Sequence, residues 1–258
     1  MRSVARLSGG EHAVTTVVTD GVEEYVLRRF PPGDAAVTHE VAVLARLTAL
    51  GDLVPRLVAS DDRGAAPSIL TRKLPGASPS PDLTAAAMAG QLGAILARIH
   101  SHDGTGLRLA PAAPPGGDSH IARRAQQDWA QLDRSVGVLT HYDFWCGNTL
   151  WDGDAVTGVV DWSGARHAPR GVDVAWCRLD LILLGDRTAA ESLLAAYRSA
   201  SGQPIEDIAT WDRQAAAQAE PVVEGWAANY AGIGRGHLTG RVLRDRLDAW
   251  IVELLCTA

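Results

Sequence analysis

The sequence has little cysteine and no long hydrophobic run, and these two absences exclude several classes of protein. Only three cysteines occur in 258 residues, Cys146, Cys177 and Cys256, and no Cys-x-x-Cys pair is present. The odd number and wide spacing argue against a disulfide scaffold and a zinc knuckle. No run of about 18 apolar residues could form a membrane span, and the first residues lack a signal-peptide core. We therefore expect a soluble, cytoplasmic protein without a membrane partner.

Lysine is nearly absent, and basic residues are outnumbered. Lys73 is the single lysine among 24 basic residues, and 30 acidic residues bring the net charge to −6. This balance argues against a nucleic-acid partner, whose binding would need a basic face. It leaves room for a local cationic site that binds an anionic ligand. Any role that is usually filled by lysine falls to arginine, unless Lys73 itself supplies it.

Strand and helix patterns divide the chain into two parts. The first seventy residues predict a helix at 37–50 that ends at Gly51. The strands expected around it are 4–7, 13–19, 24–29, 57–59 and 68–71. A Pro/Gly/Ser-rich linker follows at 75–82. We expect an α+β fold with two lobes, a β-rich N-lobe at 1–73 and a mainly helical C-lobe at 74–258.

Within the second part, helical periodicity dominates and two short β segments interrupt it. Helices are expected at 83–100, up to about Ser135, and from 172 onward. Short strands are expected at 138–140 and within 149–161, where the turn at 152–154 folds the chain into a hairpin.

The polar residues between these short strands form a pattern that indicates phosphate chemistry. His141, Asp143 and Asn148 follow the first strand, and the hairpin is expected to bring Asp161 back near Asn148. The oxygens of Asn148 and Asp161 suit Mg²⁺, which commonly shares phosphate ligands. Asp143 is not needed as a metal ligand in this arrangement and could accept a proton from an incoming hydroxyl. His141 belongs to the same catalytic set, more as an orienter of the loop than as a proton carrier.

This spacing resembles the aminoglycoside phosphotransferase and choline kinase group of small-molecule kinases. In that group a His-Gly-Asp element is followed, after four intervening residues, by an Asn and later by an Asp-Trp. The present chain departs from the pattern at Tyr142, where the group has glycine, and at Cys146, where proline is frequent. The resemblance implies a bilobal protein-kinase-like fold, ATP or GTP as the phosphate donor, and Mg²⁺.

The resemblance extends over nearly the whole chain and implies further roles. Arg28 corresponds to the strand residue that binds the nucleotide phosphates, and Glu40 corresponds to the helix carboxylate that pairs with it. The guanidinium of an arginine can donate two parallel hydrogen bonds to phosphate oxygens. Asp173 lies in the element that supports the catalytic loop. The remaining nucleotide-binding residues are expected in the hinge and in a weak glycine loop: Ser68, Leu70, Arg72, Gly9 and Gly10.

The acceptor is the least defined part of the prediction. The resemblance places the acceptor pocket among the last helices, where an acidic face would suit an amine-bearing sugar. The candidate acceptor residues are Asp212, Glu220, Glu224 and Trp226, together with Asp173. A solvated helix face with core aromatics explains the same residues equally well.

The function expected from these features is transfer of the γ-phosphate of ATP or GTP to a hydroxyl of a small molecule. An aminoglycoside-type antibiotic is the first acceptor to consider, and a choline-like amine, a sugar or an amino alcohol is the alternative. Two other classes stay open: a non-catalytic nucleotide-binding regulator, and a metal-dependent hydrolase using His141, Asp143, Asp161 and His167. The sequence does not indicate the oligomeric state.

Overall fold

The computed structural model describes residues 1–6, 13–34, 36–63 and 66–256. The chain divides into two compact units. The first comprises Met1–Ser78 and Asn148–Ser163, and the second comprises Pro79–Gly147 and Gly164–Ala258. The division differs from the expected 73/74 boundary because the segment that contains Asn148 and Asp161 belongs to the first unit.

A five-stranded antiparallel sheet dominates the first unit. The strands lie in the order β1-β2-β3-β5-β4. Val17, Val18 and Ile69 are buried; because Val17 and Val18 are consecutive, their side chains point to opposite faces, so the sheet is covered on both faces at this point. The strands are β1 Arg2–Arg6, β2 Val14–Thr19, β3 Glu24–Arg29, β4 Leu57–Asp61 and β5 Ser68–Arg72.

One helix and one hairpin complete the first unit. Helix α1, Ala36–Arg46, ends earlier than predicted, and the chain continues as a 3₁₀ helix, Leu47–Leu53. Gly51 adopts φ 62°, which interrupts the helical backbone. The predicted hairpin is present as β7, Thr149–Asp152, and β8, Ala155–Val159.

The second unit is mainly helical and contains one two-stranded sheet, in which β6, Val138–Thr140, pairs with β9, Arg166–Ala168. Helices α2 and α5 can pack closely because Gly93 has no side chain. A Cβ added at this position would lie only 2.5 Å from the carbonyl oxygen of Leu193. The helices are α2 Ala85–His100, α3 His120–Asp128, α4 Gly171–Leu183, α5 Arg187–Ser201, α6 Ile208–Ala219, α7 Ala227–Gly232 and α8 Gly240–Cys256.

Side-chain caps set several helix starts. Thr84, Ser119 and Asp186 each accept a hydrogen bond from the backbone three residues ahead, at the starts of α2, α3 and α5. Helix α3 ends before the predicted Ser135, in a single 3₁₀ turn at Trp129–Gln131. The expected mixed α+β fold is confirmed. Among the described residues, no helix combines the length and the apolar character needed to cross a membrane.

Candidate active site

The loop after β6 carries the predicted catalytic residues. His141 is fully buried and lies edge-on to Phe144. Asp143 is half-buried, and its Oδ1 accepts a hydrogen bond from Nε1 of Trp176 at 3.1 Å. A partly exposed carboxylate can receive a proton from a substrate, whereas the buried His141 ring is better placed to support the loop.

Asp173 anchors the beginning of this loop. Its two carboxylate oxygens accept hydrogen bonds from the backbone N–H groups of His141, at 2.7 Å, and Tyr142, at 2.8 Å. Nε2 of His100, at the end of α2, lies 3.2 Å from the same carboxylate. Asp173 is 0% exposed, so it cannot contact an acceptor. Its inclusion among the acceptor residues was wrong, whereas its contacts are those of the loop support that the resemblance implies.

A second buried carboxylate, missed in the sequence, anchors the end of the loop. Asp180 accepts hydrogen bonds from the backbone N–H of Cys146 at 2.9 Å and from the Tyr230 hydroxyl at 2.7 Å. Burial raises the pKa of Asp180, and these hydrogen bonds oppose the shift. Burial also raises the pKa of the Cys146 thiol, which argues against a nucleophilic cysteine.

One face of α4 therefore follows the whole loop. Asp173, Trp176 and Asp180 are spaced by three and four residues, which places them on the same side of a helix. Asp173 contacts the beginning of the loop, Trp176 contacts the carboxylate of Asp143, and Asp180 contacts the end of the loop. Two carboxylates seven residues apart, in a helix whose other charged residue is Arg178, are the sequence signal that could have identified Asp180.

Tyr142 occupies the position where the related group has glycine, and its backbone is left-handed with φ 69°. This region favours glycine, and a tyrosine there is strained by about 1–2 kcal/mol. The Tyr142 ring lies under the Arg166 guanidinium, 4.4 Å from ring centre to Cζ. The departure from the family pattern therefore leaves the glycine-type backbone in place and adds an aromatic side chain.

In the first unit, a charged cluster forms around Arg28. Nη1 of Arg28 donates to Oε1 of Glu40, and Nη2 lies 3.9 Å from Oδ1 of Asp161. The guanidinium also lies over the Phe30 ring at 5.3 Å. The neighbouring Arg29 is exposed. The strand register thus directs Arg28, and not Arg29, toward the carboxylates.

Glu40 is the most buried member of this cluster, at 4% exposure. Burial raises its pKa, Arg28 opposes the shift, and the nearby Asp161 adds to it. Its Oε2 atom has no hydrogen-bond partner. The cluster therefore carries an electrostatic cost that a further positive charge would reduce.

Asn148 and Asp161 flank the β7–β8 hairpin. The backbone N–H of Val160 donates to the Asn148 carbonyl at 2.9 Å, so Asp161 follows directly on the residue paired with Asn148. Asp161 is 42% exposed as a side chain, has φ 59°, and accepts a hydrogen bond from Ser163. A carboxylate and a carboxamide oxygen are hard ligands that fit Mg²⁺, with room for substrate phosphates at the exposed carboxylate.

The predicted hinge residues lie on one side of β5. Ile69 and Thr71 are buried, whereas Ser68, Leu70 and Arg72 alternate with them and are more exposed. Arg72 pairs with Glu23 at 3.0 Å. Gly9 and Gly10, the predicted glycine loop, lie outside the described residues.

The acidic acceptor face is not present as predicted. Asp212 is 2% exposed and forms a buried ion pair with Arg178, so it belongs to the core. Helix α6 ends at Ala219, so Glu220 and Glu224 do not continue its face. Glu220 accepts a hydrogen bond from Ser119, and Glu224 pairs with Arg244 at 2.7 Å.

Trp226, the last predicted acceptor residue, lies in a 3₁₀ turn and packs edge-on against Trp176 at 5.4 Å between ring centres. It therefore supports the tryptophan that contacts Asp143. In the part of the chain that the structure describes, no three His, Cys, Asp or Glu side chains cluster as metal ligands.

Comparison with known proteins places the chain in a family. The model of the phosphotransferase enzyme family matches residues 3–218. The chain belongs to the phosphotransferase enzyme family. No curated protein sequence matches it.

Solved phosphotransferase structures share the fold at low identity. The macrolide 2′-phosphotransferase of Brachybacterium faecium is 20% identical, with a TM-score of 0.63 and coverage of 94% of this chain and 91% of that one. A spectinomycin phosphotransferase bound to ADP and spectinomycin is 12% identical, with a TM-score of 0.65 and coverage of 98% and 92%. A thermostable aminoglycoside phosphotransferase mutant bound to AMP-PNP and hygromycin B is 17% identical, with a TM-score of 0.65 and coverage of 99% and 94%. The predicted kinase-like fold is confirmed.

Proposed function

We propose that this phosphotransferase moves the γ-phosphate of ATP or GTP to a hydroxyl of a small molecule, with Asp143 as the group that orients the hydroxyl and takes its proton. The observation that carries the proposal is the position of Asp143. Asp143 is half-buried and accepts a hydrogen bond from Trp176. It lies in a loop whose two ends are fixed by hydrogen bonds to Asp173 and Asp180. Such fixed geometry is what proton transfer at a reacting hydroxyl requires.

The charged cluster of the first unit is proposed to bind the nucleotide phosphates. Arg28 supplies a fork of N–H donors, and Glu40 holds that fork in position. Asn148 and Asp161 are the proposed Mg²⁺ ligands; the ion, when bound, supplies positive charge to the phosphates. The exposed side of β5 with Ser68, Leu70 and Arg72, together with Gly9 and Gly10, is proposed to contact the remainder of the nucleotide.

The identity of the acceptor is a separate question. The sequence favours an amine-bearing acceptor such as an aminoglycoside because it predicts an acidic face formed by Asp212, Glu220 and Glu224. Each of these carboxylates has a partner inside the protein, which weakens the reason for preferring a cationic acceptor. The support for a small hydroxylated metabolite as the acceptor is therefore at least as strong as the support for an aminoglycoside.

The test separates the two proposed roles by two substitutions. Asp143→Asn keeps the hydrogen bond to Trp176 but cannot take a proton, so kcat should fall by about 10²–10⁴ while the nucleotide Kd changes little. Asp161→Asn should instead weaken the binding of Mg·ATP. Acceptor-dependent ADP release and nucleotide titration measure the two effects, with Asp245→Asn, an exposed aspartate, as the control.

A loss of nucleotide affinity in Asp143→Asn, with turnover at saturating nucleotide retained, would contradict the assigned roles. Nucleotide binding that shows no dependence on Mg²⁺ would remove Asn148 and Asp161 from the proposal.

A further inference from the structure

A cavity of about 270 Å³ lies wholly within the second unit. Its aromatic lining consists of Trp129, Tyr142, Trp176 and Trp211, and we call it the aromatic cavity. The volume is near the lower end of the range of about 300–1,000 Å³ for drug-sized ligands. Only a compact ligand, or a compact part of a larger one, would fit it.

The aromatic cavity adjoins the proposed catalytic carboxylate. Trp176 lines the cavity and donates its Nε1–H to Asp143, and Tyr142 lines it from the position before Asp143. The edge-on contact with Trp226 supports the Trp176 ring. A ligand in the cavity would therefore contact two residues that touch or precede the proton acceptor.

The charged side chain in the cavity lining is positive, whereas a polycationic ligand would need negative side chains around it. Among the described residues, no carboxylate lines it, and the formal charge in the lining is that of Arg134, whose guanidinium lies 4.3 Å from the centre of the Trp129 ring. His167 is the other ionisable group in the lining apart from Tyr142. A ligand with several ammonium groups would find no carboxylate in the lining and would meet the like charge of Arg134, while the adjoining Asp143 could compensate a single ammonium group at most.

Two buried polar atoms in the lining lack a hydrogen-bond partner, Nδ1 of His167 and Oε1 of Gln214. Gln214 is 3% exposed, and its Nε2 donates to the carbonyl oxygen of Ala125 at 2.7 Å. This bond fixes the carboxamide, and its Oε1 has no hydrogen-bond partner. Buried acceptors of this kind are rare without one. A hydrogen-bond donor on a ligand would satisfy it.

We propose that the aromatic cavity binds the acceptor, and that the acceptor is a compact, uncharged ring compound with a hydroxyl and a second hydrogen-bond donor. The inference rests on the proposed function. The acceptor oxygen forms the bond to the γ-phosphorus, the bond from that phosphorus to the bridging oxygen breaks, and ADP leaves with the electron pair. The hydroxyl proton passes to Asp143.

A panel of four compounds tests the class directly. Catechol and 3-hydroxybenzyl alcohol represent compact, uncharged hydroxylated rings, and streptomycin and hygromycin B represent polycations. With Mg·ATP present, at least one uncharged compound should quench the tryptophan fluorescence and show a kcat/KM at least about tenfold above that of either polycation. Stronger binding or turnover of a polycation overturns the inference.

Two variants test the lining. Arg134→Glu places a carboxylate at the exposed edge and should shift the preference toward polycations by about fivefold or more, while the exposed Arg241→Glu should leave it unchanged. Gln214→Met should raise the Kd of the uncharged compound by about tenfold. A parallel melting curve shows whether the loss of the bond to Ala125 also affects the fold.

Failure of the inference and failure of the proposed function give different results. If Mg·ATP binds and no uncharged compound binds, the inference is wrong and the phosphotransfer proposal is unaffected. If an uncharged compound binds in the cavity but neither Mg·ATP binding nor phosphate transfer is detected, the proposed function is wrong and the class of ligand stands.

Discussion

The cluster around Arg28 and the loop around Asp143 both depend on buried carboxylates, but the partners of those carboxylates differ. Glu40 is paired with another charged side chain, the guanidinium of Arg28. Asp173 and Asp180 accept hydrogen bonds from backbone N–H groups of the loop. The first arrangement positions charges, whereas the second positions a stretch of backbone.

This difference has an energetic consequence. A pair of charged side chains gains attraction but loses hydration, so its net contribution is small and depends on pH and salt. A backbone N–H that loses its buried acceptor has no alternative partner, and its desolvation cost remains in full. We therefore expect the second unit to be sensitive to the loss of a single oxygen, and the first unit to tolerate neutral replacements.

The largest expected effect is that of Asp173→Asn. The substitution keeps the volume but turns an NH₂ group toward one of two backbone donors, so unfolding by urea should show a loss of about 3 kcal/mol. The matched substitution in the first unit, Glu40→Gln, should cost about 1 kcal/mol or less because it also removes the cost of a buried charge. Equal losses of unfolding free energy in the two variants would show that the buried carboxylates of the two regions contribute equally to stability.

A smaller effect concerns pH and the first unit alone. Because the folded pKa of Glu40 lies above its unfolded value, the folded protein binds this proton more tightly. Wild-type protein should therefore lose stability relative to Glu40→Gln as pH rises from about 4.5 through the raised pKa. Urea unfolding of both proteins between pH 4.5 and 7.5 measures the difference, and the opposite slope would show that Arg28 outweighs burial.

The sequence predicted more of the first unit than of the second. Strand patterns gave the five strands closely, and the hairpin turn placed Asp161 beside the partner of Asn148, because these are local features of the chain. The acceptor residues could not be found in this way. Asp212 carries the same charge as an exposed carboxylate, and only the packing of α6 against α4 shows that Arg178 neutralises it.

Asp180 and Gln214 are residues that the sequence analysis did not identify, for the same reason. Both lie on helices with many buried positions, where periodicity identifies the buried face but not the group that each polar residue contacts. Their partners, the N–H of Cys146 and the carbonyl of Ala125, lie 34 and 89 residues away in the chain. Such contacts depend on tertiary packing, which a single sequence does not show.

The smallest expected effect tests the backbone strain in the loop that carries Asp143. At most exposed positions alanine is more stable than glycine by about 0.5–1 kcal/mol. At Tyr142, with φ 69°, the order should reverse, and Tyr142→Gly should be more stable than Tyr142→Ala by about 1 kcal/mol. Val252, an exposed residue inside α8 without a positive φ, provides the control pair and should show the usual order.

Comparison with wild type then separates strain from stacking. Tyr142→Gly relieves the backbone but loses the contact with Arg166, so these opposing terms should leave its stability within about 1 kcal/mol of wild type. If Tyr142→Ala were as stable as Tyr142→Gly, the left-handed backbone would be a consequence of the tyrosine contacts. The anchors at Asp173 would then fix less of the loop than their hydrogen bonds imply.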